Sequence, residues 1–530
     1  MNRPSPWRPL RHAMFRSLWI ATVASNIGTW LQSVGAAWLM TSLSPSAVMV
    51  ALVQAATSLP MFLLSLPAGA LADVVDRRRI LLVTQSWMTL AAAGLSAVTF
   101  AHRIGPWSLL LFTTLLGLGA ALNQPAWQAI IPEIVPREDL PAAISLGSVG
   151  FNLARAAGPA IGGLLVAAAG AEFNFLLNAL SFLGVLLVLF RWKRPPGTSV
   201  LPAERFFGAM RTGVRYVRHS PEVLAVVARG AVFVTCASSL WAFLPLVAKN
   251  LGQGPGGYGL LLAALGIGAV AGAFVLPRLN RSGSTDVVVA VATLVFAGGV
   301  LALGYLKIFW LLFAAMLLAG GAWLSLLSSL NVAIQTLVPS WVRGRALSVY
   351  MLFIFGGLAG GSALWGAVAD RIGIARALLI SAIGLVVGLL ATFRIHLRSG
   401  EGLNLAPSRQ WPAPRTSYDD LEPDQGPILV LLRYRIDPGR AAEFAAVMDD
   451  LRRVRLRAGA LQWGLFSDAA DPGRYTEMFL MASWMEHLRH RERVTVADEE
   501  VRRRAGAFHL GPEPQEVEHL VGVTGGEEAK

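Results

Sequence analysis

Long apolar runs broken by short polar and charged connections fill most of the first 400 residues. Runs such as Leu81 to Phe100, Leu109 to Ile131 and Ala377 to Phe393 approach or exceed the roughly 20 apolar residues a helix needs to cross about 30 Å of hydrocarbon. Read against proline, glycine and charge punctuation, the pattern predicts twelve spans, at 14–40, 47–72, 80–101, 106–131, 142–168, 173–191, 222–247, 257–279, 286–306, 309–337, 346–369 and 374–396. After residue 400 the pattern changes to short alternating and amphipathic stretches of soluble character.

Composition sharpens this picture. The chain is 55% hydrophobic and only 15% charged, against about a quarter charged in soluble domains, so the bilayer serves as solvent. The first run is far longer than the apolar core of a signal peptide and is followed by further spans, so it is expected to be retained. Cys236, the only cysteine, lies in an apolar run, which excludes an internal disulfide. The net charge of +13 does not call for nucleic acid, because the arginines cluster in short connections between spans. With the N-terminus inside, the inner connections hold fifteen Lys and Arg, and the outer ones only Arg103, Lys249, Lys307, Arg371 and Arg376. That bias places the N-terminus and the C-terminal domain in the cytoplasm.

The polar stretch 191–220 divides six spans from six, and the halves echo each other. Gln128, Pro132 and Val135 answer Gln335, Pro339 and Val342; Gly158, Gly163 and Gly170 answer Gly361, Gly366 and Gly373. The expected fold is an all-α polytopic membrane protein of twelve transmembrane helices in two six-helix pseudo-repeats, plus a small α+β ferredoxin-like domain. The expected divisions are a bundle at 1–191, a cytoplasmic connecting loop at 192–221, a second bundle at 222–399, a linker at 400–427 and the soluble domain at 428–530.

The connection after the second span reads Gly69-Ala-Leu-Ala-Asp73-Val-Val-Asp76-Arg77-Arg78-Arg79. It resembles the signature loop of the major facilitator superfamily at Gly69, Asp73, Arg77 and Arg78, with Val74 in place of its usual Arg and Asp76 in place of its second Gly. The resemblance implies a gate, in which a small residue lets helices approach and a carboxylate among arginines latches moving ends. The stretch Gly158-Pro159-Ala-Ile-Gly162-Gly163 is similar to the core of a motif of export-type members, with Ala154 where another Gly is expected; it would pack tightly and bend. Gly117-Leu-Gly119 ends like a third motif, but Thr113 and Leu116 replace its Arg and Gln. Together with Asn26-Ile-Gly-Thr-Trp-Leu-Gln32 and Asn152-Leu-Ala-Arg155-Ala-Ala-Gly-Pro159, these features resemble the enterobactin-exporter-like subgroup, which includes members called transmembrane secretion effectors.

Ionisable groups at bilayer depth are costly and point to function. Arg155 lies well inside the fifth span, on one helical face with Ser148, Asn152 and Pro159. Arg229 in the seventh span can snorkel or meet a ligand. Asn26, Thr29 and Ser33 in the first span, Asn123 in the fourth, and Asn331 and Gln335 in the tenth complete the candidate substrate pathway; each alone can equally be helix-to-helix glue. No Asp or Glu lies near the middle of any span, so the interior favours a neutral or anionic substrate.

In the tail, strands are expected at 428–436, 460–467, 475–484 and 517–523 and helices at 439–457 and 485–505. That βαββαβ order resembles the dimeric barrels of the antibiotic-biosynthesis-monooxygenase type and implies a homodimer through this domain. His487 and His490 sit among Arg489, Arg491 and Arg493 and read as a solvated basic helix face, so no metal is expected there. The chain is read as a transporter, not an enzyme, with no catalytic residues and no cofactor: an exporter of a siderophore-like or antibiotic-like metabolite working by alternating access in a bacterial inner membrane. Coupling to an ion gradient is expected, because no phosphate-binding G-x-x-x-x-G-K-[ST] motif is present, with protons as the expected coupling ion. The alternative is a membrane-anchored enzyme or sensor whose activity resides in the tail.

Overall fold

The computed structural model describes residues 7–136, 138–192, 206–282, 284–393, 404–408, 422, 425–511 and 515–522. The side chains of Leu66, Ala70, Ala72, Asp73 and Val74 and of residues 206–210, 277–282 and 393 lie outside that description, as does most of the predicted linker. The helices are α1 (Ala13–Leu43), α2 (Ala47–Val74), α3 (Arg77–Phe100), α4 (Pro106–Ile134), α5 (Leu140–Ala169), α6 (Ala171–Arg191), α7 (Phe206–Arg218), α8 (Pro221–Asn250), α9 (Gly254–Ser282), α10 (Thr285–Tyr305), α11 (Phe309–Leu337), α12 (Arg343–Ile372) and α13 (Ile374–Phe393). Among the described residues, eleven are long and apolar enough to cross a membrane. The predicted first span, α1, is long enough at 31 residues; it falls short in apolarity, because Ser25, Asn26, Thr29, Gln32 and Ser33 occupy its middle. The connection predicted at 192–221 is not simply a loop: α7 is a helix with Tyr216 and Val217 buried and Val214 exposed.

Local chemistry sets the helix ends. Asp76 caps α3, its Oδ1 accepting from the Arg79 amide at 2.9 Å, and this explains the residue that replaces the expected second glycine. Gly170 after α5 and Gly373 after α12 hold φ of +96° and +89°, a conformation only glycine adopts cheaply. The two belong to the same register of the internal repeat.

By contacts the chain forms two compact units: Met1–Ala203, Val227–Asn331 and Tyr350–His396 in one, and Glu204–Val226, Val332–Val349 and Leu397–Lys530 in the other. In the first unit, α1 packs on α5 and α6, α3 on α4 and α6, α2 on α4, and α10 on α13. The two halves meet along α5–α9 and α2–α12, where glycines remove the side chains that would hold the helices apart. A Cβ on Gly259 would stand 2.5 Å from the Pro159 oxygen and 2.9 Å from the Gly163 Cα, and one on Gly366 2.9 Å from the Val48 Cα.

The second unit holds α7, the α11–α12 connection and a four-stranded antiparallel sheet of β1 (Ile428–Arg435), β2 (Gln462–Ser467), β3 (Arg474–Met481) and β4 (Glu516–Val521), in order β2-β3-β1-β4. With α14 (Ala441–Ala458), α15 (Trp484–Arg493) and α16 (Val496–Gly506) this is the ferredoxin-like order. Ile428, Val430, Leu432 and Phe479 bury one sheet face against Phe444 and Met448, while Leu429, Leu431, Met478 and Leu480 on the other face are half-buried. The single helix predicted at 485–505 is two, because Thr495 and Asp498 form a capping box that starts α16. The tail domain rests on its own unit's helical parts: the Arg493 guanidinium lies 4.9 Å over the Trp341 ring, and Tyr216 meets Trp341 edge-on at 5.9 Å. Burial pushes the Tyr216 hydroxyl up to about 12.

Candidate functional site

The site is built on α5 where it crosses the seam between the halves. Gly158 and Gly162 bring α5 against α1, a Cβ on Gly158 falling 2.6 Å from the Trp30 Cβ and one on Gly162 3.2 Å from the Leu31 Cα. One turn before, Arg155 faces the other half: a Cβ on Gly266 of α9 would stand 2.5 Å from the Arg155 backbone oxygen. The close approach leaves the Arg155 backbone fixed between two helices. Its guanidinium is half-buried and has no hydrogen-bond or ion-pair partner among the described residues. Burial of charge in a protein normally brings a partner with it.

Two turns along the same face from Arg155, Ser148 is exposed, and between them the Asn152 amide donates to the Ser148 oxygen at 2.9 Å. On α1, Thr29 and Ser33 are exposed and Asn26 half-buried, and their hydroxyls donate back to Ser25 and Thr29 carbonyls at 2.9 Å. Such bonds leave each hydroxyl oxygen free to accept a further bond. Asn331 is half-buried and Gln335 exposed; they fall in different units. Asn123 is engaged within the first half, its Oδ1 accepting from Thr84 at 3.0 Å and Gln85 at 3.4 Å.

Arg229 differs from Arg155. It is 5% exposed, donates to Asp286 Oδ1 at 2.7 Å and holds the Thr392 carbonyl at 2.5 Å. It neither snorkels nor stands open to a ligand; it ties α8 to α10 and α13.

In the connection after α2, Arg77 donates to Glu133 at 2.8 Å and to the Ala129 oxygen at 3.2 Å, while Arg78 caps α6 through the Leu189 and Phe190 oxygens at 3.2 and 2.8 Å. Both arginines therefore staple helices of one half. A Cβ on Gly69 would find nothing within 4 Å, although Phe62, two turns back on the same face, packs against Gly356 of α12. The α2–α12 seam is packed from Val48 at the α2 N-terminal end to Phe62. The Asp73 side chain lies outside the described residues.

In the tail domain the solvated reading of His487 and His490 fails: they are 1% and 0% exposed. His487 stacks on Trp484 at 5.3 Å and meets His519 edge-on at 4.8 Å, and His490 lies 5.6 Å from Phe479. Neither His487 nitrogen has a hydrogen-bond partner among the described residues. Burial, then the neighbouring His519 and Arg491, push His487 down to about 3, and His490 falls well below its ordinary value for the same first cause. Among the described residues no group of three or more His, Cys, Asp or Glu is placed to hold a metal ion. Beneath the histidines, Glu477 accepts from Arg455 at 2.9 Å, Trp463 at 3.0 Å and Tyr434 at 3.2 Å, a fully satisfied buried network.

Residues 4–525 match the family described as transmembrane secretion effector. The chain is 27% identical over 68% of its length to the staphyloferrin A transporter of Staphylococcus aureus, covering 90% of that protein. It is 29% identical over 72% of its length to the enterobactin exporter EntS of Salmonella typhi, covering 91% of it. Among solved structures it resembles a bacterial homolog of the lysosomal transporter Spinster in an inward-facing, unoccupied conformation, at TM-score 0.58 and 16% identity over 73% of this chain and 97% of that one. It also resembles the nucleoside transporter NupG, at TM-score 0.60 and 13% identity over 72% of this chain and 99% of that one.

Proposed function

The chain belongs to the transmembrane secretion effector family of the major facilitator superfamily, and on that footing we propose that it exports a small anionic or neutral siderophore-like metabolite in exchange for protons. It is a multi-pass membrane transporter, not an enzyme. The cargo reading is carried by one observation: Arg155, within a membrane-spanning helix and at the seam of the halves, has no protein partner among the described residues. Relatives named for staphyloferrin A and enterobactin support a cargo of that kind. Ser148, Asn152, Asn26, Thr29 and Ser33 extend the pathway with hydroxyls and amides that accept or donate according to the cargo.

Transport proceeds by rocking of the halves about this site. The packing at the α2 N-terminus supports a resting state that admits cargo from the opposite face, that of the α2–α3 connection, and the Lys and Arg bias puts that face, both termini and the tail in the cytoplasm of a bacterial cell. Closing that face would bring Gly69, Asp73, Arg77 and Arg78 toward α12 as an inner gate. The half-buried apolar sheet face at Leu429, Leu431, Met478 and Leu480 supports homodimerisation through the tail.

The test is accumulation of labelled acidic, neutral and cationic compounds in cells with and without the protein, before and after collapsing the proton gradient. Reduced accumulation of an acidic or neutral compound that is abolished by uncoupling is expected. Selective depletion of cations would overturn the cargo reading.

A further inference from the structure

The closed end of the seam carries a charged contact that the transport reading leaves unused. Asp370, on the last turn of α12 in the second half, reaches across to the first turn of α2 in the first half. Its Oδ2 accepts from the Ser46 hydroxyl at 2.7 Å, and its Oδ1 from the Ala47 amide at 2.7 Å and the Val48 amide at 3.4 Å. These amides are among the donors a helix N-terminus leaves without an intrahelical partner, and the helix dipole favours a carboxylate there. Ser46 alone caps weakly, accepting from the Met49 amide at 3.5 Å. Beside it the Lys249 ammonium, from the second half, donates to the Thr41 carbonyl at the end of α1, and Trp38 of α1 stacks on Tyr258 of α9 at 6.3 Å.

We propose that Asp370 is the outer gate latch: a positioning residue that holds the outer ends of the halves together while the cargo site is open to the cytoplasm. It caps a helix of the opposite half, so its bonds exist only while the halves touch and break when they rock apart. Among the described residues the α5–α9 seam makes no such bond; its contact is glycine on backbone, which can slide without losing a charge-assisted bond. The latch therefore selects one conformation, where the glycine seam permits both. A recess of about 550 Å³, lined by Pro45, Asn250, Asp370 and Arg376, lets solvent take over the carboxylate once the latch opens. The inference rests on the alternating-access reading and on the proposed orientation, but not on the identity of the cargo.

The experiment uses the full chain in liposomes, in a Cys236→Ala background, with spin labels at two cysteine pairs. Ser42→Cys with Gln253→Cys spans the outer end, and Arg79→Cys with Thr285→Cys spans the inner end. Adding Asp370→Ala is expected to move population to longer outer and shorter inner distances, by roughly fivefold in the ratio of states, the size expected for losing one charge-assisted cap. Ser46→Ala gives the same direction with a smaller shift and serves if the first variant folds poorly. Unchanged outer distances, or both pairs lengthening together as in a loosened bundle, overturn the latch. No cargo is present, so a shift in distances alongside a negative accumulation panel would keep the latch and reject the cargo.

Discussion

In the tail domain Arg455 is 1% exposed and meets the Glu477 carboxylate at 2.9 Å; in the bundle Arg155 is half-buried with no partner among the described residues. The tail treats every deeply buried charge as a structural problem to be solved, either by pairing it, as at Arg455, Arg457 with Asp498, and Arg493 with Glu486, or by discharging it, as at His487 and His490. The bundle treats Arg229 with Asp286 and Asp139 with Arg8 in the same way, whereas the half-buried Arg155 has no partner among the described residues. A cation kept without a partner is a stability cost, and its retention makes sense when a ligand supplies the missing charge.

The comparison can be broken by removing partners. Glu477→Ala should have the largest effect, about 3–5 kcal/mol, because it strands the buried Arg455 and leaves Trp463 and Tyr434 unbonded; loss of the tail's cooperative unfolding transition would show it. Asp286→Asn should cost about 3 kcal/mol by leaving the Arg229 charge buried against a neutral group, seen as a lower unfolding temperature in detergent. Arg155→Met should show no such drop. A fall as large as that of Asp286→Asn would mean that Arg155 is also structural.

The discharged histidines give a smaller, pH-dependent effect. With the folded His487 down near 3 and an unfolded value near 6.5, the unfolded tail binds the extra proton between those limits. Stability therefore rises with pH across that window and is lost as pH falls below about 6.5, by about 2 kcal/mol for His487 at pH 5. Thermal unfolding of wild type against His487→Phe from pH 7.5 to 5 checks the sign: the variant should be the less acid-sensitive. Trp341→Ala should have the smallest effect, about 1 kcal/mol, by removing the surface on which Arg493 rests.

Much of this was legible in the sequence, and the failures have physical causes. The spans, the half-to-half repeat and the tail's strand order follow from hydrophobic period, which the structure preserves because burial enforces it. Arg155 could be singled out because a charge in an apolar run is conspicuous. That Arg229 is paired was hidden, since Asp286 lies 57 residues away at the end of another helix. His487 and His490 were misread from the neighbouring arginines. Their spacing from Trp484, at i+3 and i+6, was the better signal, because it puts all three near one helix face toward Phe479. The contact of Asp370 was hidden as well, because the helix N-terminus that it meets lies more than 300 residues earlier.

The most direct test of the central claim is uptake of a labelled acidic cargo, identified by the accumulation panel, into inverted membrane vesicles containing equal amounts of folded wild type, Arg155→Lys or Arg155→Gln. Loss of a charge-assisted contact worth about 1.5–3 kcal/mol predicts that Arg155→Gln raises KM or lowers uptake roughly tenfold or more, with Arg155→Lys retaining an intermediate activity and both unfolding at or above the wild-type temperature. Full uptake by Arg155→Gln would contradict the account.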